Sequence, residues 1–234
     1  MTKKKLQRFA EMETFANVIQ PRFDEVFHAD FHLKGLWNKQ CFRNENPVVL
    51  ELGCGKGEYT TGLARRFPGK NFIGVDIKGS RIWRGARTAL AEHLTNVMFL
   101  RTRIEVIRSF FDKDEVDEIW LTFPDPQLKK KRKRLTSSRF LNSYRGFLKH
   151  NGIIHLKTDN PVLYRYTLDL TDLNNLRLRF HSDDLYHSGI VDDILDIRTF
   201  YEQQFLDQGM NIHYLCFELP HDKIIEEPSG EEAG

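Results

Sequence analysis

Short apolar runs alternate with stretches of helical periodicity along most of this chain, and that alternation restricts the fold more than any other feature. VVLEL (48–52), NFIGVD (71–76), VMFL (97–100), EIWLTF (118–123) and IIHLKT (153–158) each read as buried strands. Between them, a helix is expected from Glu58 until Pro68 and Gly69 end it. A second is capped by Ser80, with Ile82, Trp83, Ala86, Leu90 and Leu94 on one face. A short helix follows around Val106 to Phe110. Another starts at Thr136, where Phe140, Leu141, Tyr144, Phe147 and Leu148 recur at helical spacing until Asn151 and Gly152. Asn160 and Pro161 open one more, as cap and first residue. Strands separated by helices need crossover connections, which predicts an α/β fold with a doubly wound, mostly parallel sheet. Ligands of such sheets sit beyond the carboxyl ends of the strands, here Gly53 to Gly57, Asp76, Asp125 and Asp159.

The first of these ends reads ELGCGKG, with glycines at 53, 55 and 57 and a glutamate at 58. A glycine turn alone is weak evidence, since any tight strand-to-helix connection favours it. A dinucleotide fingerprint, G-x-G-x-x-G, would need its last glycine where Glu58 stands, and its pyrophosphate would meet that acid. Glu51, two positions before the first glycine, suits a ligand carrying an ammonium or sulfonium. Asp76 ends the next strand, where a carboxylate accepts from two ribose hydroxyls. Together these residues point to S-adenosylmethionine.

A second signal is FPDPQLKKKRKRLTSSRF (123–140), an aspartate between two prolines followed by a cationic run. Net charge is only +2, yet no acidic residue lies between Asp125 and Asp159, while Lys129 to Arg134, Arg139, Arg145, Lys149 and Lys157 all do. Prolines 124 and 126 restrict the backbone around Asp125, and the run beside it suits nucleic-acid phosphates. Alone, such a run reads more readily as a solvated loop or an import signal; its place at a strand end reverses that preference. Three cysteines, Cys41, Cys54 and Cys216, share no metal-like spacing, and His28 and His32 lack carboxylate partners, so no metal is expected. The basic start lacks the apolar run of a secretory signal and no stretch approaches a membrane span, which predicts a soluble, cytoplasmic protein with no membrane partner.

ELGCGKG, FIGVD, FPDP with RLTSSRFL, HLKTDN and the late TFYE resemble bacterial tRNA (guanine-N7)-methyltransferases, over residues 8 to 219. FPDP and KTDN are far more specific than the glycine turn. The resemblance implies a class I methyltransferase fold of seven strands, S-adenosylmethionine as methyl donor, and methylation of the variable-loop guanosine at tRNA position 46. The chain is expected to divide into a basic helical extension (1–46), a methyltransferase domain (47–220) and an acidic tail (221–234). It assigns Glu51, Gly53, Gly55, Asp76, Arg103 and Asp125 to the cofactor, with Asp125 also catalytic. Lys129, Asp159, Thr199, Phe200, Tyr201 and Glu202 fall to the substrate. Two positions depart from the pattern: Gln127 stands where tryptophan is common, and Arg103 where Asp or Asn reads the adenine.

Guanine N7 carries a free lone pair, so its methylation requires orientation and no proton-removing base. The opposite edge of guanine offers N1 and N2 donors, which carboxylates such as Asp125, Asp159 and Glu202 suit. Other readings remain for Asp159, as a helix cap, and for Glu202, as half of a capping box with Thr199. Two other classes stay open: a nicotinamide-dependent dehydrogenase, against which the glycine spacing counts, and a non-catalytic RNA-binding protein, which would not need Glu51 and Asp76. A monomer and a homodimer are equally compatible with the sequence.

Overall fold

Val48–Leu52 is buried at every position, as is Asn71–Asp76, the burial expected of parallel strands covered on both faces. The computed structural model describes residues 3–229 in two units, Met1–Asp112 and Lys113–Gly234. Glu231 and Glu232 of the acidic tail and the side chains of Lys3, Lys4 and Lys5 lie outside the described residues.

In the first unit the strands are β1 (Val18–Ile19), β2 (Val48–Leu52), β3 (Asn71–Asp76) and β4 (Val97–Arg101), in spatial order β1-β4-β3-β2 with the three pairings among them parallel. Helix α1 is Lys3–Glu13, α2 is Phe23–Val26, α3 is Glu58–Arg66 and α4 is Gly79–Ala91. Helices α3 and α4 are the crossovers that parallel pairing demands. Helix α4 begins at Gly79 with Lys78 as its cap, so Ser80 lies inside the first turn; Asp76 Oδ1 accepts from the Lys78 N–H at 2.7 Å and sets the start. The extension folds back on the sheet: β1 adds a strand beside β4, and α1 packs on α4, where Trp83 Nε1 donates to Glu11 Oε2 at 2.7 Å.

In the second unit β5 (Val116–Thr122) and β6 (Leu148–Thr158) run parallel, while β7 (Leu178–Ser182) and β8 (His213–Leu219) add antiparallel pairs, in order β5-β6-β8-β7. The helices are α5 (Ser138–Tyr144), α6 (Pro161–Leu173) and α7 (Phe200–Asp207). Asn160 caps α6 by accepting from the Leu163 N–H, with Pro161 first, as expected. The helix expected from Thr136 stops at Tyr144, and Leu148 already begins β6; Phe147 and Leu148 are buried, which mimics helical spacing in the sequence. The described residues hold eight strands, one more than the seven expected, and the two-residue edge strand β1 is the addition.

One close approach fixes the glycine turn against α4. Gly57 has φ +68°, and a Cβ there would stand 2.6 Å from the Phe99 ring; a Cβ on Gly85 of α4 would stand 2.7 Å from the Lys56 carbonyl oxygen. Backbone therefore meets backbone where side chains do not fit. Gly85→Ala is expected to cost about 1–3 kcal/mol of stability through overpacking. Thermal denaturation of the purified variant measures it, and an unchanged midpoint would mean the turn is free to move.

Candidate active site

The glycine turn uses its own amides. Gly53 and Cys54 N–H groups both donate to the Val75 carbonyl, at 2.8 and 3.0 Å, Gly57 N–H donates to the Cys54 carbonyl at 2.8 Å, and Gly55 N–H donates to Asp76 Oδ2 at 3.0 Å. A phosphate-binding turn does the reverse and aims free amides at its anion. This turn thus lacks the donor nest a pyrophosphate needs, which counts against a dinucleotide.

What it offers instead suits a nucleoside with a cationic tail. Above Gly55 a Cβ would meet only the Gly53 carbonyl, at 4.0 Å, so the backbone here is open to a close ligand. Asp76, at the carboxyl end of β3, takes one backbone bond on each oxygen and keeps further lone pairs for ribose hydroxyls. Glu51 is buried under the turn, where its Oε2 accepts from the Thr60 N–H at 2.8 Å and from the Thr60 hydroxyl. The two carboxylates act on Cys54 between them: burial first, then Glu51 and Asp76, push its thiol well above the usual range and keep it protonated. Arg103 follows Thr102, whose N–H donates to the Asp76 carbonyl at 3.2 Å; its side chain is exposed, with the guanidinium 5.1 Å from the Phe23 ring centre. These residues fit S-adenosylmethionine: an acidic, phosphate-free cradle with a ribose acceptor.

In the second unit the strand ends carry the other predicted residues. After β5 the chain enters the left-handed region at Phe123 (φ 49°) and again at Gln127 (φ 46°), which brackets the proline-framed aspartate in a tight bend. Asp125 is solvent-exposed, and its Oδ1 accepts from the Gln127 N–H at 3.0 Å. Lys129, Lys130, Arg132 and Lys133 are exposed and Lys131 half-buried, whereas Arg134 is 2% exposed and donates from Nε to the Pro126 carbonyl at 2.9 Å. The cationic run therefore divides: its last member holds the bend, and Lys129, Lys130, Arg132 and Lys133 face water. Asp159 follows β6 half-buried; burial pushes its carboxyl up, partly offset by a backbone hydrogen bond and then by His213. It is not the cap of α6, which is Asn160.

Thr199 caps α7 and Glu202 completes a capping box, accepting from the Thr199 N–H at 3.3 Å. Glu202 does not present an open carboxylate to a base. It is fully buried, as is Lys157, whose Nζ lies 2.6 Å from Glu202 Oε1; Tyr186 donates its hydroxyl to the same oxygen at 2.8 Å. Lys157 also donates to the Leu195 carbonyl at 2.6 Å, tying β6 to the segment before α7. Phe200 and Tyr201, at the exposed start of α7, are 50% and 41% accessible. Lys157 escaped the sequence reading of the site, although a lysine inside the apolar run IIHLKT is the signal that it needs a buried anion. Tyr186 and Arg134 carried no comparable signal.

A family profile described as "Putative methyltransferase" matches residues 45–215. Among solved structures, a 16S rRNA methyltransferase, KamB, aligns at TM-score 0.61 and 14% identity, covering 78% of this chain and 92% of its own. An S-adenosylmethionine-dependent methyltransferase from Aquifex aeolicus aligns at TM-score 0.53 and 12% identity, over 75% and 83%. The fold and the acidic glycine cradle define a class I, S-adenosylmethionine-dependent methyltransferase. A tRNA (guanine-N(7)-)-methyltransferase of Bacteroides thetaiotaomicron is 53% identical over 99% of this chain and 92% of its own length. Another, of Christiangramia forsetii, is 51% identical over 93% and 99%. The chain belongs to the tRNA (guanine-N(7)-)-methyltransferase family.

Lys157→Met leaves Glu202 as a buried, uncompensated charge and is expected to cost about 3–5 kcal/mol, while Lys157→Met combined with Glu202→Leu recovers most of it. Chemical denaturation of both variants checks this; a double variant as unstable as the single one would show that packing, not charge, sets the loss. Asp159 has the opposite sign. Its raised folded-state value favours the protonated form, so it adds stability at low pH that is lost as pH rises through that value. Asp159→Asn should therefore raise the melting temperature at neutral pH, with the gain vanishing below about pH 4.

Proposed function

We propose that this enzyme transfers the methyl group of S-adenosylmethionine to N7 of the variable-loop guanosine at tRNA position 46, in the cytoplasm. The observation that carries this reading is near-full-length relatedness to proteins named for guanine-N7 methylation of tRNA, together with a donor cradle closed to phosphates.

The cofactor supplies an electrophilic methyl group when bound. Guanine N7 supplies the electron pair, so the chain has no proton to remove and its residues act by holding and aligning. Asp76 would take the ribose hydroxyls, and the open backbone at Gly55 would admit the donor closely. Glu51 acts on the cradle from below, fixing the first turn of α3 through Thr60. Asp125, exposed in a bend with little freedom, and Asp159, half-buried after β6, would accept from N1 and N2 of guanine. Asp159 must be ionised for this, and burial disfavours that form, so its charge is held at a cost that a donor-rich base relieves. Thr199, Phe200 and Tyr201 would border the base or its neighbours, with Glu202 supporting them from inside through Lys157. Lys129 to Lys133 would neutralise phosphates, a contribution to affinity that carries little sequence information.

The defining experiment is transfer of labelled methyl from S-adenosylmethionine to bulk tRNA, with digestion and identification of the modified nucleoside. N7-methylguanosine at position 46 is expected; label in any other nucleoside would overturn the substrate. Asp125→Ala is expected to lower kcat by at least ~100-fold, with tRNA affinity kept within about twofold. Alanine at Lys129, Lys130, Arg132 and Lys133 is expected to do the reverse, weakening tRNA binding and reducing the log–log salt slope by about 3 units. Arg134 is left out of that set because it is buried.

A further inference from the structure

The residues after β8 are fastened to the second unit. Asn142 donates to the Ile225 carbonyl at 2.8 Å and accepts from the Ile225 N–H at 3.0 Å. Asn174 treats Glu226 in the same way, at 2.9 and 2.7 Å. Two side-chain amides thus pair with two successive main-chain units, and Ile225 is buried between them. This leaves little choice in where the next residue points. Glu227 turns inward: its Oε2 accepts from the Ser138 N–H at 3.0 Å and its Oε1 from the Tyr166 hydroxyl at 2.5 Å. The Tyr166 ring, in turn, lies 4.3 Å below the Arg134 guanidinium carbon, and Arg134 Nε donates to the Pro126 carbonyl at 2.9 Å.

The contacts form one line from the segment after β8 to the proline-framed bend. Each link is directional or stacked, and Arg134 and Tyr166 are both buried, so neither has a solvent-facing alternative. A guanidinium taken out of water needs acceptors and a compensating charge. Pro126 gives it an acceptor, Tyr166 a ring face, and Glu227 a carboxylate hydrogen-bonded to the Tyr166 hydroxyl. We infer that Glu227, which lies beyond the family-matched residues 45–215, is a positioning residue for Asp125, acting through Tyr166 and Arg134. The inference rests on Asp125 as the carboxylate at the base. Glu227 touches no substrate: it keeps Arg134 in place, Arg134 keeps the Pro126 carbonyl in place, and the bend then holds Asp125 at one setting.

The test uses the full chain with Glu227→Gln, Tyr166→Phe and their combination, and Glu226→Gln as the control, since that neighbour's side chain is exposed. Methyl transfer to tRNA, binding of S-adenosylmethionine and of tRNA, and the amide signal of Gln127 by NMR are read for each. The Gln127 N–H donates to Asp125 and so reports on the bend directly. Glu227→Gln and Tyr166→Phe are each expected to lower kcat on the order of 10-fold, with both binding constants within about twofold and the Gln127 signal displaced. The combination should do no worse than either alone, and the control should match the unaltered chain. Full kcat with an unmoved Gln127 signal in Glu227→Gln overturns the inference, as do losses that simply multiply in the combination. Asp125→Ala run in parallel separates the two claims. If that variant turns over normally the catalytic reading falls, while the Gln127 signal still decides whether Glu227 holds the bend.

Discussion

Parallel strands cannot be joined by a tight turn, and that constraint organises everything else in this molecule. Each parallel partner must be reached by a crossover, so successive strands finish at the same edge of their sheet and release their loops there. The first unit places a glycine turn and Asp76 at such ends, and the second places Asp125 and Asp159 at the ends of β5 and β6. Strands β2 and β3 are buried on both faces and have no spare surface for chemistry, so reactive groups gather on the loops that follow them.

This is why much of the fold was readable in advance. VVLEL is apolar except at Glu51, and NFIGVD carries Phe72, Ile73 and Val75 at its centre, because neither face meets water, and their bounds match β2 and β3. Where reading failed, a local pattern had two physical causes. Phe147 and Leu148 repeat at helical spacing after Phe140 and Tyr144, but they are buried through a turn and a strand start, and periodicity does not distinguish these. Ser80 is a good capping residue two positions too late, because Asp76 had already captured the Lys78 amide. Strand β1 is two residues long and leaves no pattern to find.

The candidate site was legible for residues whose type and place both matter: Asp76 at a strand end, Asp125 between prolines. It was less legible where function depends on a partner remote in sequence. Glu202 reads equally well as an acceptor or a cap, and only the burial of Lys157, 45 positions earlier in the numbering, shows that its carboxylate is already engaged. Arg134 reads in sequence as the last of six consecutive cations, and its separate duty appears only with Pro126 and Tyr166 beside it. A buried cation recruits its partners through tertiary structure, which one-dimensional spacing does not record.

The internally satisfied glycine turn has a consequence for life among abundant adenine nucleotides. Such nucleotides share the ribose proposed for Asp76, but their phosphates would find the amides of Gly53, Cys54, Gly55 and Gly57 already committed and the carboxylates of Glu51 and Asp76 close by. A donor with a cationic tail meets the opposite field. Discrimination between two adenosine-bearing metabolites thus rests on the direction in which four N–H groups point.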